Sequence, residues 1–195
     1  NKIQKNQQVS TVFFGDGAID EGVFWESMNA ACLYKVPMLF VCEDNELAVH
    51  THKSQRHGYR SIDDIVKIFN CIAYTDETNN VESIYQMTKE AVNSSFESQK
   101  PAFLRIKCHR YLEHVGINED WHEGYRDKQK YSWWYENDSL KIQRQKLKEI
   151  GFDEDQIQQY ENQIKDQVEK AIKKAEQANF CSTDHLYAGV FYEKN

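Results

Sequence analysis

The sequence lacks the features that mark several common classes of protein. No apolar run reaches the roughly 20 residues that cross a bilayer. No basic stripe is present, and the net charge is −7 over 195 residues. The chain opens on the polar segment NKIQKNQQVS, without the pattern of a secretory signal peptide. We therefore expect neither a membrane nor a nucleic acid as partner.

Paired cysteines are also missing. The five cysteines are odd in number and scattered, and none forms a C-x-x-C pair. This usage indicates reduced, mostly buried thiols and a cytoplasmic protein, and it argues against a zinc site. With 40% hydrophobic and 13% aromatic residues, the chain has the composition of a globular domain.

The most informative stretch runs from Phe13 to Thr51. It reads FFGDGAIDEGVFWESMNAACLYKVPMLFVCEDNELAVHT. One apolar run ends in Gly15-Asp16-Gly17, and an amphipathic segment follows in which Phe24, Met28 and Cys32 at i, i+4 and i+8 give one apolar face. The second apolar run, 38–42, fits a strand buried on both faces and leads into Glu43-Asp44-Asn45. This pattern predicts a βαβ unit with polar residues at the carboxyl ends of both strands.

Oxygen ligands at such strand ends suit a divalent cation that holds phosphates. Asp16 can supply a carboxylate oxygen, Asn45 an amide oxygen, and the backbone just beyond Asn45 a carbonyl. Gly15 and Gly17 would let the backbone turn sharply and approach a phosphate. The amides around Gly17 and Ala18 precede a helix, where an anion is favoured. The alternative is an ordinary turn, since GDG alone is common in turns.

The rest of the chain alternates strands with helices. We predict strands over residues 9–14, 38–42, 71–75 and 102–108, and helices over 21–34, 62–69 and 81–98. Asp20, Ser61 and Ser139 are predicted N-caps. This order predicts an α/β protein with a doubly wound parallel sheet. Helices over 139–150 and 154–178 would form a C-terminal extension, residues 139–195, of one domain spanning 1–195.

A second polar segment, HRYLEHVG at residues 109–116, follows the fourth predicted strand. It can face the same crevice as Asp16, or it can be an ordinary surface loop. His50 and His52 are either a weak site or a polar loop. The stretch 118–135 is rich in Trp and Tyr, and we expect it to fold over the active site or to dock on a partner.

These segments resemble the α subunit of the thiamine-diphosphate-dependent 2-oxo acid dehydrogenase first component, the group of pyruvate, branched-chain and acetoin dehydrogenases. That family carries GDG followed by ENN, and a later YRYHGHS. Further matches are Glu21-Gly22, Asn29-Ala30 and Lys35-Val36-Pro37. The chain departs from the pattern at several positions, namely Asp44, Leu47, Leu112, Glu113 and Val115.

The resemblance implies roles for particular residues. Mg²⁺ would be bound by Asp16, by the Asn45 side chain and by the carbonyl of Leu47. Arg110 would contact the diphosphate, and His114 would act as a catalytic residue near the reaction centre. The residues implied to bind the cofactor are Gly15, Asp16, Gly17, Ala18, Asn45, Arg110 and His114.

The resemblance also implies a fold and a function. The fold would be the thiamine-diphosphate-binding fold with the N-terminal part of the domain missing. The enzyme would oxidatively decarboxylate a 2-oxo acid and transfer the acyl group to a lipoyl-type acceptor. A β subunit would supply the activating glutamate and a second α subunit would complete a heterotetramer, so the chain alone would be inactive. The alternatives are a carboligase or transketolase-like half enzyme acting on a sugar or acyloin, and a non-catalytic binding or assembly remnant.

Overall fold

The computed structural model describes residues 8–190. The strands in that range are β1 (Ser10–Gly15), β2 (Met38–Asp44), β3 (Leu47–Ala48), β4 (Thr51–His52), β5 (Ile72–Asp76) and β6 (Ala102–Lys107). The α-helices are α1 (Gly22–Leu33), α2 (Ile62–Ile68), α3 (Val81–Ser98), α4 (Ser132–Glu136), α5 (Ser139–Glu149) and α6 (Glu154–Gln177).

Four strands form one parallel sheet in the order β1-β2-β6-β5. All four were predicted, and their ends differ from the prediction by one or two residues. The antiparallel hairpin of β3 and β4 was not predicted. An α/β architecture with a parallel sheet and helices is thereby confirmed. Since the strands are parallel, their carboxyl ends lie along one edge of the sheet.

The centre of the sheet is β2, whose continuous apolar run is buried on both faces as predicted. Alternate residues face opposite sides because side chains in a strand alternate. Phe40 packs in a cluster with Phe24 and Met28 of α1. Leu39 packs in a second cluster with Ala91 of α3. The helices thus cover both faces and leave the carboxyl edge for polar residues.

The start of α1 differs from the prediction. Asp20 is not the N-cap: residues Asp16–Asp20 form a short 3-10 helix, and Glu21 occupies the cap position without a side-chain cap. The Asp20 carboxylate instead pairs with Arg56. The predicted apolar face is confirmed at Phe24 and Met28, which are buried.

The predicted cap at Ser61 is confirmed, because its hydroxyl accepts from the Asp64 amide at 3.2 Å. The predicted cap at Ser139 is wrong. Asp138 accepts from the amides of Leu140 and Lys141, both at 3.1 Å, so a carboxylate one residue earlier satisfies the first turn of α5.

The chain divides into two compact units between Gln143 and Arg144. The sheet and the predicted site residues belong to the first unit. In the second unit, α6 begins with a capping box between Asp153 and Gln156. None of the helices between residues 8 and 190 is long and apolar enough to span a membrane.

Candidate functional site

Asp16 lies at the tip of β1, next to the tip of β2. The parallel register places Gly15 beside Glu43, so Asp16 and Asp44 continue from neighbouring strand ends. Both carboxylates are buried, with 2% and 5% of each residue exposed. A buried carboxylate needs a cation or several hydrogen bonds to remain ionised. The partners of Asp16 therefore decide what this site can do.

Only one carboxylate oxygen of Asp16 has a hydrogen-bond partner among the described residues. Its Oδ2 accepts from Nη2 of Arg56 at 2.5 Å, and Arg56 also pairs with Asp20. The other oxygen, Oδ1, is buried and has no hydrogen-bond partner among residues 8–190. Such an orphan is uncommon, since nearly all buried polar atoms have partners. Asp16 Oδ1 is therefore free to accept a proton donor or to bind a cation.

The sharp turn predicted at the two glycines beside Asp16 is not observed. Gly15 has an extended backbone, with φ of −77°, and Gly17 is not among the residues with positive φ. Neither position needs glycine for a sharp turn. A Cβ on Gly17 would lie 2.8 Å from Cβ of Ala48. Gly17 thus lets the Asp16 turn pack directly against the β3–β4 hairpin.

The segment between β2 and β3 is held by side chains that accept from its own backbone. Asn45 Oδ1 accepts from the Leu47 amide at 2.9 Å, and Asp44 Oδ1 accepts from the Glu46 amide at 3.1 Å. Glu46 has a φ of 68° and Val49 a φ of 56°, which is the left-handed region. This turn fixes the Asn45 side chain and the buried Leu47 next to the Asp16 turn.

Arg105 of β6 binds the neighbouring acidic residues, and this role was not predicted. Its guanidinium donates to both oxygens of Asp63, to Asp44 at 3.1 Å and to Glu77 at 3.0 Å. The Arg105 side chain is only 13% exposed. The register pairs Arg105 with Cys42 of β2, which places this cation at the carboxyl edge of the sheet.

A cavity of about 320 Å³ lies over this edge. Asp16, Asp44, Asp63 and Arg105 all line it, together with residues of the segment that follows β4. Apart from the free oxygen of Asp16, these carboxylates are engaged by arginine or by backbone amides. The cavity is therefore polar, and among the described residues that line it Asp16 holds a buried carboxylate oxygen without a partner.

Arg110 lies in the loop after β6, where its guanidinium links several loops. It donates to the carbonyls of Val49 at 3.0 Å and Leu112 at 3.1 Å, and to the hydroxyl of Tyr125 at 2.5 Å. His50 stacks on Tyr125 with 4.4 Å between ring centroids. Arg110 thus ties the hairpin that follows Asn45 to the loop that carries His114.

A buried ion pair between Arg126 and Asp120 stabilises the loop that follows β6. Arg126 has a side chain only 1% exposed and donates from two nitrogens to Oδ1 of Asp120. It also donates to the carbonyls of Arg110 and Leu112. Burial raises the pKa of Asp120, but hydrogen bonds from Tyr125 and Arg126 outweigh that effect and lower it. This pairing was not predicted from the sequence.

His109 is enclosed by aromatic rings. It stacks on the rings of Tyr131, Trp134 and Trp121 at centroid distances of 4.8, 5.8 and 6.4 Å. Burial, with the nearby Arg126 and Arg110, lowers the pKa of His109 to about 4. The aromatic stretch expected to fold over the site therefore forms a hydrophobic cluster around a neutral histidine.

His114 is exposed at the end of this loop. The turn that carries it closes through Glu113, whose amide donates to the Asn118 carbonyl at 2.9 Å and whose Oε1 accepts from the Asn118 amide at 3.0 Å. His114 is not among the residues that line the cavity. The structure brings the Asp16 turn and the hairpin after Asn45 together, and Arg110 reaches the same hairpin, whereas His114 stands apart.

No group of three or more His, Cys, Asp or Glu side chains within residues 8–190 is arranged to hold a metal ion. This finding concerns sites built from three or more such side chains. It is compatible with Mg²⁺, which usually takes one or two carboxylates and completes its shell with phosphate oxygens and water.

The sequence was compared with known proteins. The family described as "Dehydrogenase E1 component" matches residues 1–183. The pyruvate dehydrogenase E1 component subunit alpha of Rickettsia typhi is 24% identical over 97% of this chain. Two proteins of Bacillus subtilis are each 26% identical: a 2-oxoisovalerate dehydrogenase subunit alpha over 96% of the chain, and the alpha subunit of an acetoin:2,6-dichlorophenolindophenol oxidoreductase over 99%.

This chain spans about 58% of the length of these three relatives. The family match nevertheless covers most of the chain, including both polar segments at the carboxyl edge of the sheet. The chain belongs to the dehydrogenase E1 component family, and these three relatives are all named as alpha subunits.

Proposed function

We propose that this chain binds the magnesium-diphosphate end of thiamine diphosphate as the α subunit of an enzyme that oxidatively decarboxylates a 2-oxo acid. The acyl group would pass to a lipoyl-type acceptor. In this proposal the sheet is part of a doubly wound thiamine-diphosphate-binding fold. The names of the relatives support the reaction class, since they include pyruvate and 2-oxoisovalerate dehydrogenases.

The observation that carries the proposal is the free oxygen of Asp16. A buried carboxylate oxygen without a partner, next to a polar cavity at the carboxyl ends of parallel strands, has the properties expected of a ligand for a divalent cation. The donor set consists only of oxygens: the Asp16 carboxylate, the Asn45 amide and the Leu47 carbonyl. The residues present therefore fit Mg²⁺ bound to a diphosphate.

Asn45 and Leu47 are held in a way that suits this role. The Leu47 amide donates to Asn45 Oδ1, which orients the side chain and leaves the second lone pair of the amide oxygen for a cation. Gly17 packs against Ala48 of the same hairpin. Asp16 and Asn45 are thus preorganised on two segments in contact with each other, which limits the entropy lost on binding.

Arg56 occupies the other side of Asp16 and neutralises it in the free chain. When a divalent cation binds Oδ1, Arg56 can keep its contacts with Oδ2 and with Asp20. The carboxylate then lies between two positive groups. This arrangement favours a metal bound through a single oxygen of Asp16.

Thiamine diphosphate, when bound, supplies the nucleophilic carbon that attacks the oxo group. The residues of this chain would bind and orient the cofactor and exclude water from it. Arg110 would neutralise phosphate charge with the guanidinium donors that its loop contacts leave free. His114 would hold or move a proton near the reacting carbon, since the loop that carries it is fixed by Arg126 and Asp120.

The proposal includes partners. A β subunit would supply the glutamate that activates the cofactor, and a second α subunit would complete a heterotetramer. No glutamate among residues 8–190 is assigned that role in this proposal. The chain alone would therefore bind the diphosphate end of the cofactor but would not catalyse the reaction.

Reconstitution tests this function. The full chain would be co-expressed with a β-type partner and assayed with thiamine diphosphate, Mg²⁺ and a panel of 2-oxo acids and ketoses, following release of carbon dioxide. We expect turnover with a 2-oxo acid only when both chains are present. Turnover with ketoses alone would instead support a carboligase or transketolase-like enzyme. Failure to bind the cofactor with any partner would support a non-catalytic remnant.

A further inference from the structure

The segment that follows the β3–β4 hairpin carries four polar side chains in five residues: Arg56, His57, Tyr59 and Arg60 around Gly58. His57, Tyr59 and Arg60 line the same cavity as Asp16, and Arg56 binds Asp16 directly. His57 Nε2 lies 3.1 Å from Oδ1 of Asp20. The segment is thus anchored to the Asp16 turn at its start and faces the cavity beyond that point.

The hydroxyl group of Tyr59 lacks a hydrogen-bond partner in the part of the chain that the structure describes. The oxygen is buried and has no hydrogen-bond partner among the described residues. The ring is fixed by stacking on His57, with centroids 4.6 Å apart and planes 20° from parallel. Burial and the charge of Asp20 raise the pKa of Tyr59 to about 12. The hydroxyl therefore keeps its proton near neutral pH and is available to donate it.

Arg60 differs from the other cations around the cavity. Lys53 pairs with Glu46 at 2.6 Å, Arg56 pairs with Asp16 and Asp20, and Arg105 binds three carboxylates. Arg60 has no ion-pair or hydrogen-bond partner within residues 8–190, and it lines the cavity. A guanidinium left unpaired beside a buried donor is suited to bind an oxyanion.

Among the described residues that line the cavity, Asp16 Oδ1 is a buried acceptor without a partner, and Tyr59 and Arg60 are donors without a partner. A lone anion would leave the acceptor facing negative charge, and a lone cation would leave the donors unused. A phosphate group that carries its own divalent cation satisfies all three. We propose that Tyr59 and Arg60 are phosphate-binding residues of this cavity, holding the phosphate whose metal ion binds Asp16; this inference rests on the proposed function.

Calorimetry with inorganic pyrophosphate and Mg²⁺ tests this inference, because that probe contains only the group that the two residues would contact. The full chain would be compared with Tyr59→Phe, Arg60→Gln and the double variant. Loss of a hydrogen bond or ion pair to a charged group corresponds to about a tenfold weaker Kd for each single variant. Tyr85→Phe, at an exposed tyrosine on α3, is the matched control and should bind like the wild type.

Thermal unfolding shows whether each variant is folded, and Tyr59→Phe removes only a hydroxyl group that has no partner, so its melting temperature should not fall. If both single variants bind pyrophosphate with the same affinity as the wild type, this inference is overturned and the proposed function still stands. If the wild type binds neither pyrophosphate nor thiamine diphosphate with Mg²⁺, both fall. Should the variants instead weaken only the binding of pyruvate, the two residues bind a substrate carboxylate and the inference is wrong.

Discussion

Asp16 and Asp120 are both buried aspartates that accept from an arginine, but they differ in what remains unsatisfied. Asp120 Oδ1 accepts twice from Arg126, and its Oδ2 accepts from Tyr125. Asp16 accepts from Arg56 through one oxygen, and the other has no partner in the described part of the chain. A completed ion pair fixes the shape of a loop, whereas an incomplete one at a cavity leaves a place for a ligand.

The surroundings of the two aspartates extend the comparison. Asp120 lies beneath a loop packed by aromatic rings, with Arg126 over the ring of Trp121 at 4.1 Å. Asp16 lies beside a polar cavity. We interpret the first region as stabilising the fold and propose the second as the binding site. Substitutions in the loop should therefore act mainly on unfolding, and those at the cavity mainly on ligand affinity.

Arg126→Met should produce the largest loss of stability. It removes the closer of the two cations that face the buried Asp120, since Arg110 Nη2 lies 3.8 Å from Asp120 Oδ2, and breaking a buried ion pair typically costs about 3–5 kcal/mol. Urea denaturation measures the free energy of unfolding. Lys128→Met is the matched control, because Lys128 pairs with Glu119 at the surface and should change stability by less than about 1 kcal/mol. Equal effects of the two substitutions would show that the Arg126 pair contributes no more than a surface contact.

Gly17→Ala should have the next largest effect. The added Cβ would lie 2.8 Å from that of Ala48, and overpacking of this kind costs about 1–3 kcal/mol. Gly15→Ala is the control, since nothing lies within 4 Å of its Cβ position and the backbone there is extended. Thermal or urea unfolding of the pair measures the difference. If Gly17→Ala is as stable as Gly15→Ala, the hairpin does not pack on the Asp16 turn.

His109→Phe should change stability least, and in a pH-dependent way. The folded pKa of His109 is about 4, below the 6.5 of a free histidine. Between these values the unfolded chain binds a proton that the folded chain does not, so stability falls as pH decreases from 6.5 to 4. Phenylalanine keeps the ring and removes this effect, a difference of up to about 2 kcal/mol near pH 4 after allowance for solvent screening.

The measurement is urea denaturation of both proteins from pH 4 to pH 7. The wild type should lose more stability than His109→Phe as the pH falls, while the exposed-site variant His122→Gln should follow the wild type. Parallel pH profiles for the wild type and His109→Phe would mean that His109 titrates normally in the folded chain.

The sequence predicted the framework because periodicity and local composition determine it. The i, i+4 spacing of Phe24 and Met28 predicted the buried face of α1, and the continuous apolar run of β2 predicted the central strand. Ser61 was recognised as a cap because its partner is three residues away. All of these are short-range signals that survive in the folded chain.

The ion pairs could not be predicted in the same way. Arg56 meets Asp16 across 40 residues and Arg105 meets Asp44 across 61, and no local pattern encodes such a pairing. The same contacts explain the wrong cap at Asp20, whose carboxylate is engaged by Arg56 instead. The GDG motif located Asp16. The packing of Gly17 against Ala48 could not be predicted in the same way, because the β3–β4 hairpin itself was not predicted.

The most direct test of the account is calorimetric titration of thiamine diphosphate into the full chain, with and without Mg²⁺, for the wild type and Asp16→Ala. Circular dichroism would establish that both proteins are folded. The account predicts binding by the wild type that requires Mg²⁺, and no measurable binding by Asp16→Ala. Equal affinity of the two proteins in the presence of Mg²⁺ would contradict the assignment of Asp16 as a metal ligand.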